Sequence, residues 1–566
     1  MNVLGICHDV LICSAALVRD GKVISAIPEE RLDRVKQSRV FPSLAIKKCL
    51  ELGGLALSDV DEIAVAWNPG IDMETIPNGY LNARRWRTEH LMQVPARFMQ
   101  LLGTNATDEI TIAGAAQGCP PITFINHYDA HVGSAFLSSP FDHAAVVVLD
   151  GRAEKQTSLL GVARGTKLEK LGEVPFPHSL GQFYSTITAH VGFKPDGDEW
   201  KVMALGSYAS GDNEYYGILR ELITVNDDGT FEMALDHFEF YNFFDRRMYS
   251  DKLLRKLGPA RKKGEPLTEK HEKLAAAMQR VFEETVTAIL HRLHARAGTD
   301  NLVVAGGCFM NSVYNGKITE QTPFKDVYIG SSPDDSGTAV GAALWVAAQR
   351  SGKRNPEAVR DNYWGPEYTD EECLEVARKF KLSAEVVANP SRRAAKDLVD
   401  GKILGWFQGR MEFGQRALGN RSILLDPRRK DGKDIVNAAI KFREAFRPFA
   451  PAILADRVHE WFECAPGTKV PFMERVLPFR SEKREAVPAV VHVDGSGRLQ
   501  TVDRDTSPRY AALIEAFDEL TGVPLVLNTS FNLNGEPIVC SPEDAIRSFF
   551  TCALEVLYLG NVRVTK

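Results

Sequence analysis

The sequence predicts an α/β protein of two domains, and three observations lead there. Short apolar runs bounded by Gly or Asp recur at residues 3–7, 144–150, 302–307, 402–407 and 523–528, the signature of buried strands. Helical patterns lie between them, clearest over 269–297, where Leu274, Met278, Phe282, Val286, Ile289 and Leu293 recur at helical spacing. The stretch 349–372 is polar and turn-rich, as expected where two compact units are joined.

The bulk composition bounds the function. A chain of 566 residues exceeds what one core usually supports. It is 44% hydrophobic and 25% charged without low-complexity tracts, so disorder does not dominate. A net charge of -6 argues against a general nucleic-acid binder and leaves small anions as ligands. The nine cysteines are scattered, outside zinc or thioredoxin-like spacings, and read as reduced thiols. The start, MNVLGICHDV, lacks a basic stretch ahead of an apolar run, and no apolar run is long enough to span a bilayer. The expected compartment is the cytoplasm.

Two groups of residues carry chemistry. In Asn126-His127-Tyr128-Asp129-Ala130-His131, which leads into a run that suits a helix, the histidines sit one turn apart and can reach one divalent ion. Asp150 then ends the strand 144–149, where α/β sheets bind ligands. Gly306-Gly307 closes another strand, and Ser332-Pro333-Asp334-Asp335-Ser336-Gly337 precedes a small-residue helix over 338–348; such glycines and helix ends admit phosphate. Two histidines with two aspartates suit iron, manganese or zinc and leave positions open. The second group is dense in arginine, from Gln408 through Arg410, Arg416 and Arg421 to Lys441, Arg443 and Arg447. Guanidinium forks pair with phosphate two bonds at a time, and the interleaved Gly, Phe, Leu and Pro point to a pocket rather than a free charged face.

These motifs, with Pro28-Glu29-Glu30-Arg31, Pro177-His178-Ser179-Leu180-Gly181 and Lys201-Val202-Met203, occur in an order that resembles the NodU/CmcH-type O-carbamoyltransferases along nearly the whole chain. The resemblance implies an actin-like (ASKHA) amino-terminal domain of two α/β halves over 1–355, similar to threonylcarbamoyl-transferring proteins, and a YrdC-like α/β domain over 370–566. It implies His127, His131, Asp150 and Asp335 as ligands of Fe2+ or another divalent metal, with Asp334 the rival of its neighbour. His8-Asp9 resembles the family's acceptor-side pair, with His8 as base, although about three extra residues in 10–13 separate it from Ser14-Ala15-Ala16-Leu17. The segment Asp150-Gly151-Arg152-Ala153-Glu154 also departs, carrying less glycine than is usual, and Arg152 is placed to narrow the pocket or meet phosphate. Lys441-Phe442-Arg443 and Ser530-Phe531-Asn532 match the YrdC signatures Lys-x-Arg and Ser-x-Asn. Lys441 and Arg443 would act in catalysis, and Lys36, Gly306, Gly307, Asn311, Arg416, Arg421, Arg447, Arg498, Ser530 and Asn532 would hold nucleotide or anion.

The implied reaction uses carbamoyl phosphate and ATP with Mg2+, forms carbamoyl adenylate in the carboxyl-terminal domain and carbamoylates a small-molecule hydroxyl at the metal site. Neither nucleic acid nor membrane is an expected partner, and a homodimer is the default assembly. A small-molecule kinase or an ATP-dependent switch of the same fold are the rival readings; the kinase needs neither the His pair nor the arginine cluster, and the switch predicts ATP consumption independent of carbamoyl phosphate. Residues 68–118 and 221–266 match no chemical motif and are the expected source of acceptor specificity.

Overall fold

The computed structural model describes residues 1–8, 10–71, 90–102, 119–242, 247–441, 444 and 446–566. The chain divides into two compact units. The first holds Met1–Glu29, Arg39–Asn311 and Lys317–Val359; the second holds Glu30–Ser38, Ser312–Gly316 and Arg360–Lys566. The main division falls inside the polar stretch 349–372. The contiguous ranges expected from sequence do not separate the two short excursions, because what ties them to the second unit is hydrogen bonding by Arg31, Arg34 and Asn315, which leaves no local pattern.

The first unit is built on one topology used twice. Strands β1 (Asn2–Cys7), β2 (Ser14–Arg19), β3 (Lys22–Pro28), β4 (Glu62–Val65) and β5 (Ile122–Phe124) form a sheet in the order β3-β2-β1-β4-β5. β2 pairs antiparallel with both β1 and β3, while β1, β4 and β5 run parallel. Helix α1 (His127–Phe136) leads to β6 (His143–Leu149), β7 (Gln156–Arg164) and β8 (Lys167–Pro175). A hairpin of β9 (Ile223–Val225) and β10 (Phe231–Met233) follows, then helix α2 (Glu269–Ala297), β11 (Asn301–Ala305), β12 (Asp326–Ile329) and helix α3 (Thr338–Ser351). The second sheet runs β12-β11-β6-β7-β8, with the strand directions of the first. This duplication is the two-half, actin-like α/β arrangement.

Local sequence explains these elements. β6 reads HAAVVVL and is buried beyond its first residue, as a central strand covered on both faces must be. The stripe Leu274, Met278, Phe282, Val286, Ile289 and Leu293 on α2 is fully buried, and the helix stops at Gly298 in a left-handed conformation. α1 and α3 approach almost backbone to backbone: a Cβ on Gly341 would stand 1.8 Å from the Ala130 carbonyl oxygen.

The second unit is also α/β. Its strands are β13 (Ala384–Val386), β14 (Leu404–Phe407), β15 (Arg421–Leu425), β16 (Ala450–Leu454), β17 (Arg475–Pro478), β18 (Ser496–Val502), β19 (Leu525–Ser530), β20 (Val556–Leu559) and β21 (Val562–Thr565). They form one mixed sheet, β13-β21-β20-β14-β15-β19-β16-β18-β17. Helices α4 (Pro508–Thr521) and α5 (Pro542–Thr551) bury Ile514, Phe517, Ile546 and Phe549 in a core shared with Trp406, Leu424 and Phe531. Among the described residues no helix is long and apolar enough to cross a membrane.

Candidate functional site

The His pair sits where the chain leaves β5. Asn126 caps α1, its side-chain oxygen accepting from the amides of Tyr128 and Asp129 at 3.0 and 3.3 Å. His127 and His131 follow on one face, both fully buried. The Nδ1 of His127 lies 2.9 Å from the Ala66 carbonyl, which can only accept, so Nδ1 carries the proton and Nε2 presents its lone pair. That Nε2 is 3.3 Å from Asp335 Oδ1, and the Nε2 of His131 is 3.1 Å from Asp150 Oδ2 and 3.6 Å from Asp335 Oδ1.

The four ligand atoms lie within 4.8 Å of one another. Burial alone would push the His131 imidazole down, but its hydrogen bonds and charge interactions with Asp150 and Asp335 lift it to about 9. Two carboxylates thus converge on two imidazoles, one of them holding a proton where a cation would stand. This donor set, with the oriented His127 tautomer, fits a divalent metal.

Three features hold the aspartates. Asp150 Oδ1 accepts from the amides of Gly151 and Gly307 at 2.7 and 3.2 Å. Gly306 adopts φ 93, and a Cβ there would lie 2.2 Å from the Leu149 carbonyl oxygen. The Gly306 amide donates to Pro333. Gly306 and Gly307, expected to offer amides to phosphate, therefore use them to build this centre. Asp334 is spent on the hydroxyls of Ser332 and Ser336 at 2.6 and 2.7 Å, so the geometry favours Asp335 over its neighbour.

Some contributors had no clear sequence signal. The thiol of Cys7 and the hydroxyl of Ser14 donate to the carbonyls of Asp335 and Ser336 at 3.1 and 2.7 Å, bracing that loop. Glu154 is fully buried and accepts from the amides of Asn68 and His127 and from the Asn126 side chain. His8 packs against Phe41 and His90, with ring centroids 5.2 and 4.9 Å away. Asp9 lies outside the described residues. Asn311 forms a reciprocal amide pair with Gln279 at 2.9 and 3.1 Å. Lys36 is exposed and belongs to the second unit.

In the second unit the two matched signatures meet. Lys441 is 3% exposed, and its ammonium donates to Asn532 Oδ1 at 2.7 Å, to the Asn532 carbonyl at 3.0 Å, to Ser530 Oγ at 3.3 Å and to the Ser530 carbonyl. Ser530 in turn donates to Asn532 Oδ1. Arg443 lies outside the described residues. Arg447 pairs with Glu444 at 3.1 Å, Arg416 is half-buried, and Arg498 sits half-buried on β18 opposite Val476. Burial, opposed by Asp494 and reinforced by the Arg498 and Lys433 charges, holds the His492 imidazole down at about 4.

Arg421 departs from expectation. It is fully buried, stacked 3.6 Å over the Phe407 ring, and its guanidinium donates to the carbonyls of Gln408, Gly409, Asn420 and Pro366. Its fork holds the loop instead of a phosphate. Glu412, which in the sequence is one more charge in the cluster, accepts from the amides of Leu418, Asn420 and Arg421 and shapes the same loop.

Comparison with known proteins agrees with both units. Family models described as carbamoyltransferase N-terminus and carbamoyltransferase C-terminus match residues 2–344 and 395–566. An uncharacterised protein of Synechocystis sp. is 36% identical, covering 100% of this chain and 97% of its own. The nodulation protein NolNO of Sinorhizobium fredii is 37% identical over 98% of this chain and 78% of its own, and the nodulation protein NolO of Bradyrhizobium diazoefficiens is 37% identical over 78% and 79%. Matched by both family models in series, and along nearly its whole length by relatives, this chain belongs to the carbamoyltransferase family.

Proposed function

We propose that the enzyme makes carbamoyl adenylate from carbamoyl phosphate and ATP·Mg2+ in its second unit and carbamoylates a hydroxyl of a small molecule, of the natural-product kind, in its first. The observation that carries the first half is the Lys441–Ser530–Asn532 cluster, two sequence signatures joined by one buried ammonium.

Water cleaves carbamoyl phosphate to carbamate and phosphate. A carbamate oxygen then attacks the α-phosphorus of ATP, and pyrophosphate leaves. Charge gathers on phosphate oxygens in that step, so fixed donors stabilise it most. Lys441, Arg443, Arg447, Arg416 and Arg498 supply them, while Ser530 and Asn532 orient the carbamate. Arg421 acts from behind, holding the loop that carries Arg416.

In the second half the acceptor oxygen attacks the carbamoyl carbon and AMP leaves with its bond electrons. His127, His131, Asp150 and Asp335 would hold a divalent metal, iron by family resemblance, which when bound would supply Lewis acidity to the leaving group. His8, the residue after Cys7, whose thiol donates to the Asp335 carbonyl, is the base we assign to the hydroxyl proton.

The test is pyrophosphate release from ATP with and without carbamoyl phosphate, in wild type and in Lys441→Ala. Strict dependence on carbamoyl phosphate, lost in the variant, supports the adenylation step. Release of ADP and phosphate without carbamoyl phosphate would sink it and favour a kinase-like reading.

A further inference from the structure

Residues 30–38 form a strap within the second unit, although hundreds of residues separate them from most of it. Arg31 is buried; its guanidinium pairs with Glu30 at 2.6 Å and donates to the Gly414 carbonyl at 2.7 Å. The other Glu30 oxygen accepts from the Gln37 amide. Arg34 spreads its fork over three groups: the Ile538 carbonyl at 2.7 Å, the Pro537 carbonyl at 3.0 Å and Asp544 Oδ1 at 3.5 Å. Asp544 Oδ2 meanwhile accepts from the amides of Cys540 and Ser541 at the start of α5.

Arg31 and Arg34 each hold a loop that carries residues of the proposed anion site. Gly414 lies in the loop that carries Arg416. Pro537 and Ile538 lie on the returning arm of the loop that carries Ser530 and Asn532, since the Val539 amide donates to the Phe531 carbonyl at 2.9 Å and Asn532 Nδ2 donates to the Glu536 carbonyl at 2.7 Å. The strap is held in an unfavourable shape: Arg34 and Gln37 adopt φ 62 and 57, left-handed values that side-chain-bearing residues rarely take. Asp33 braces it, accepting from the Val35 amide and the Ser38 hydroxyl. A tether alone needs neither that backbone nor a guanidinium divided between two carbonyls and a carboxylate.

We propose that Arg34 is a positioning residue of the adenylate-forming site. Its fork fixes the returning arm 536–539 and, through the Phe531 and Asn532 contacts, sets the Ser530–Asn532 cluster against Lys441. The proposal rests on the reading of that cluster given above, and the test separates the two.

Full-length Arg34→Ala and Arg34→Lys are compared with wild type. Carbamoyl-phosphate-dependent pyrophosphate release in Arg34→Ala should lose about tenfold or more in kcat, with a smaller change in KM for ATP, because binding groups remain while the reacting geometry loosens. Arg34→Lys, which keeps a donor for one carbonyl, should recover part of the loss. The double variant Arg34→Ala, Ser530→Ala should lose little more than Ser530→Ala alone, the non-additivity expected when one residue acts through the other. In hydrogen exchange, amides 531–539 should exchange faster in Arg34→Ala while β14 and β15 stay protected. Unchanged exchange at 531–539, or simple additivity in the double variant, overturns the proposal. If wild type releases no pyrophosphate in response to carbamoyl phosphate, the adenylation reading fails and the exchange result alone decides Arg34. Arg34→Lys serves for both readouts should Arg34→Ala not fold.

Discussion

Lys441 and Asn532 stand 91 residues apart in sequence and 2.7 Å apart in space, ammonium to amide oxygen. A buried ammonium is tolerated only with several acceptors, and Ser530 and Asn532 supply them from side chain and backbone alike. Replacing Lys441 by Arg keeps the charge but not the compact three-donor head. Lys441→Arg is therefore expected to lower carbamoyl-phosphate-dependent pyrophosphate release by about a hundredfold, close to Lys441→Ala, on the scale of removing one preorganised donor. A stopped-time pyrophosphate assay checks it, and near-wild-type activity in Lys441→Arg would show that charge alone suffices.

Asp334 and Asp335 are neighbours with different work. Asp335→Asn should lower metal affinity at least tenfold, because it removes a ligand facing both histidines. Asp334→Asn should retain the metal, since its carboxylate is occupied by Ser332 and Ser336. Metal per chain after dialysis, read by elemental analysis, distinguishes them.

Gly341 is where α3 meets α1. A Cβ there collides with the Ala130 carbonyl at 1.8 Å and with the Ser134 amide at 2.6 Å. Gly341→Ala is expected to cost about 1–3 kcal/mol of stability through overpacking and to displace the helix bearing His127 and His131. Thermal unfolding and metal content should fall together.

Burial lifts the Glu474 carboxyl from 4.5 to about 7, with Arg475 and the Phe472 amide only partly offsetting it. A carboxyl whose folded value is raised binds its proton more tightly in the folded state. Its stabilising contribution is present below about pH 4.5 and is lost as pH rises through about 7. Glu474→Gln should flatten that fall, by on the order of 3 kcal/mol across the window. Denaturant titrations from pH 4.5 to 8 measure it, and parallel slopes in the two proteins would refute it.

The clustering of His127, His131, Asp150 and Asp335 was the most legible part of the sequence. One helical turn between His127 and His131, and a carboxylate at a strand end, are local patterns that the fold has only to bring together. Arg421 was misleading for a physical reason: a guanidinium aimed at phosphate and one bonded to backbone carbonyls look alike in one dimension, and only burial separates them. Glu154, Glu412 and Arg34 were silent because their partners are mostly backbone amides and carbonyls, which every residue type shares. Strand ends shifted for a related reason. Gly306 and Gly307 extend the apolar run after Val304 but leave β11, their amides drawn to Pro333 and Asp150.

The strap has a consequence for synthesis. Arg31 and Arg34 are made before the Gly414 and Ile538 carbonyls they bind, which lie 383 and 504 residues further along the chain. The second unit therefore cannot close from its carboxyl-terminal segment alone; it must recapture residues 30–38 after the intervening chain has been made. Loops this long are entropically costly to close, so completion of the second unit should be the late, chaperone-sensitive phase of folding.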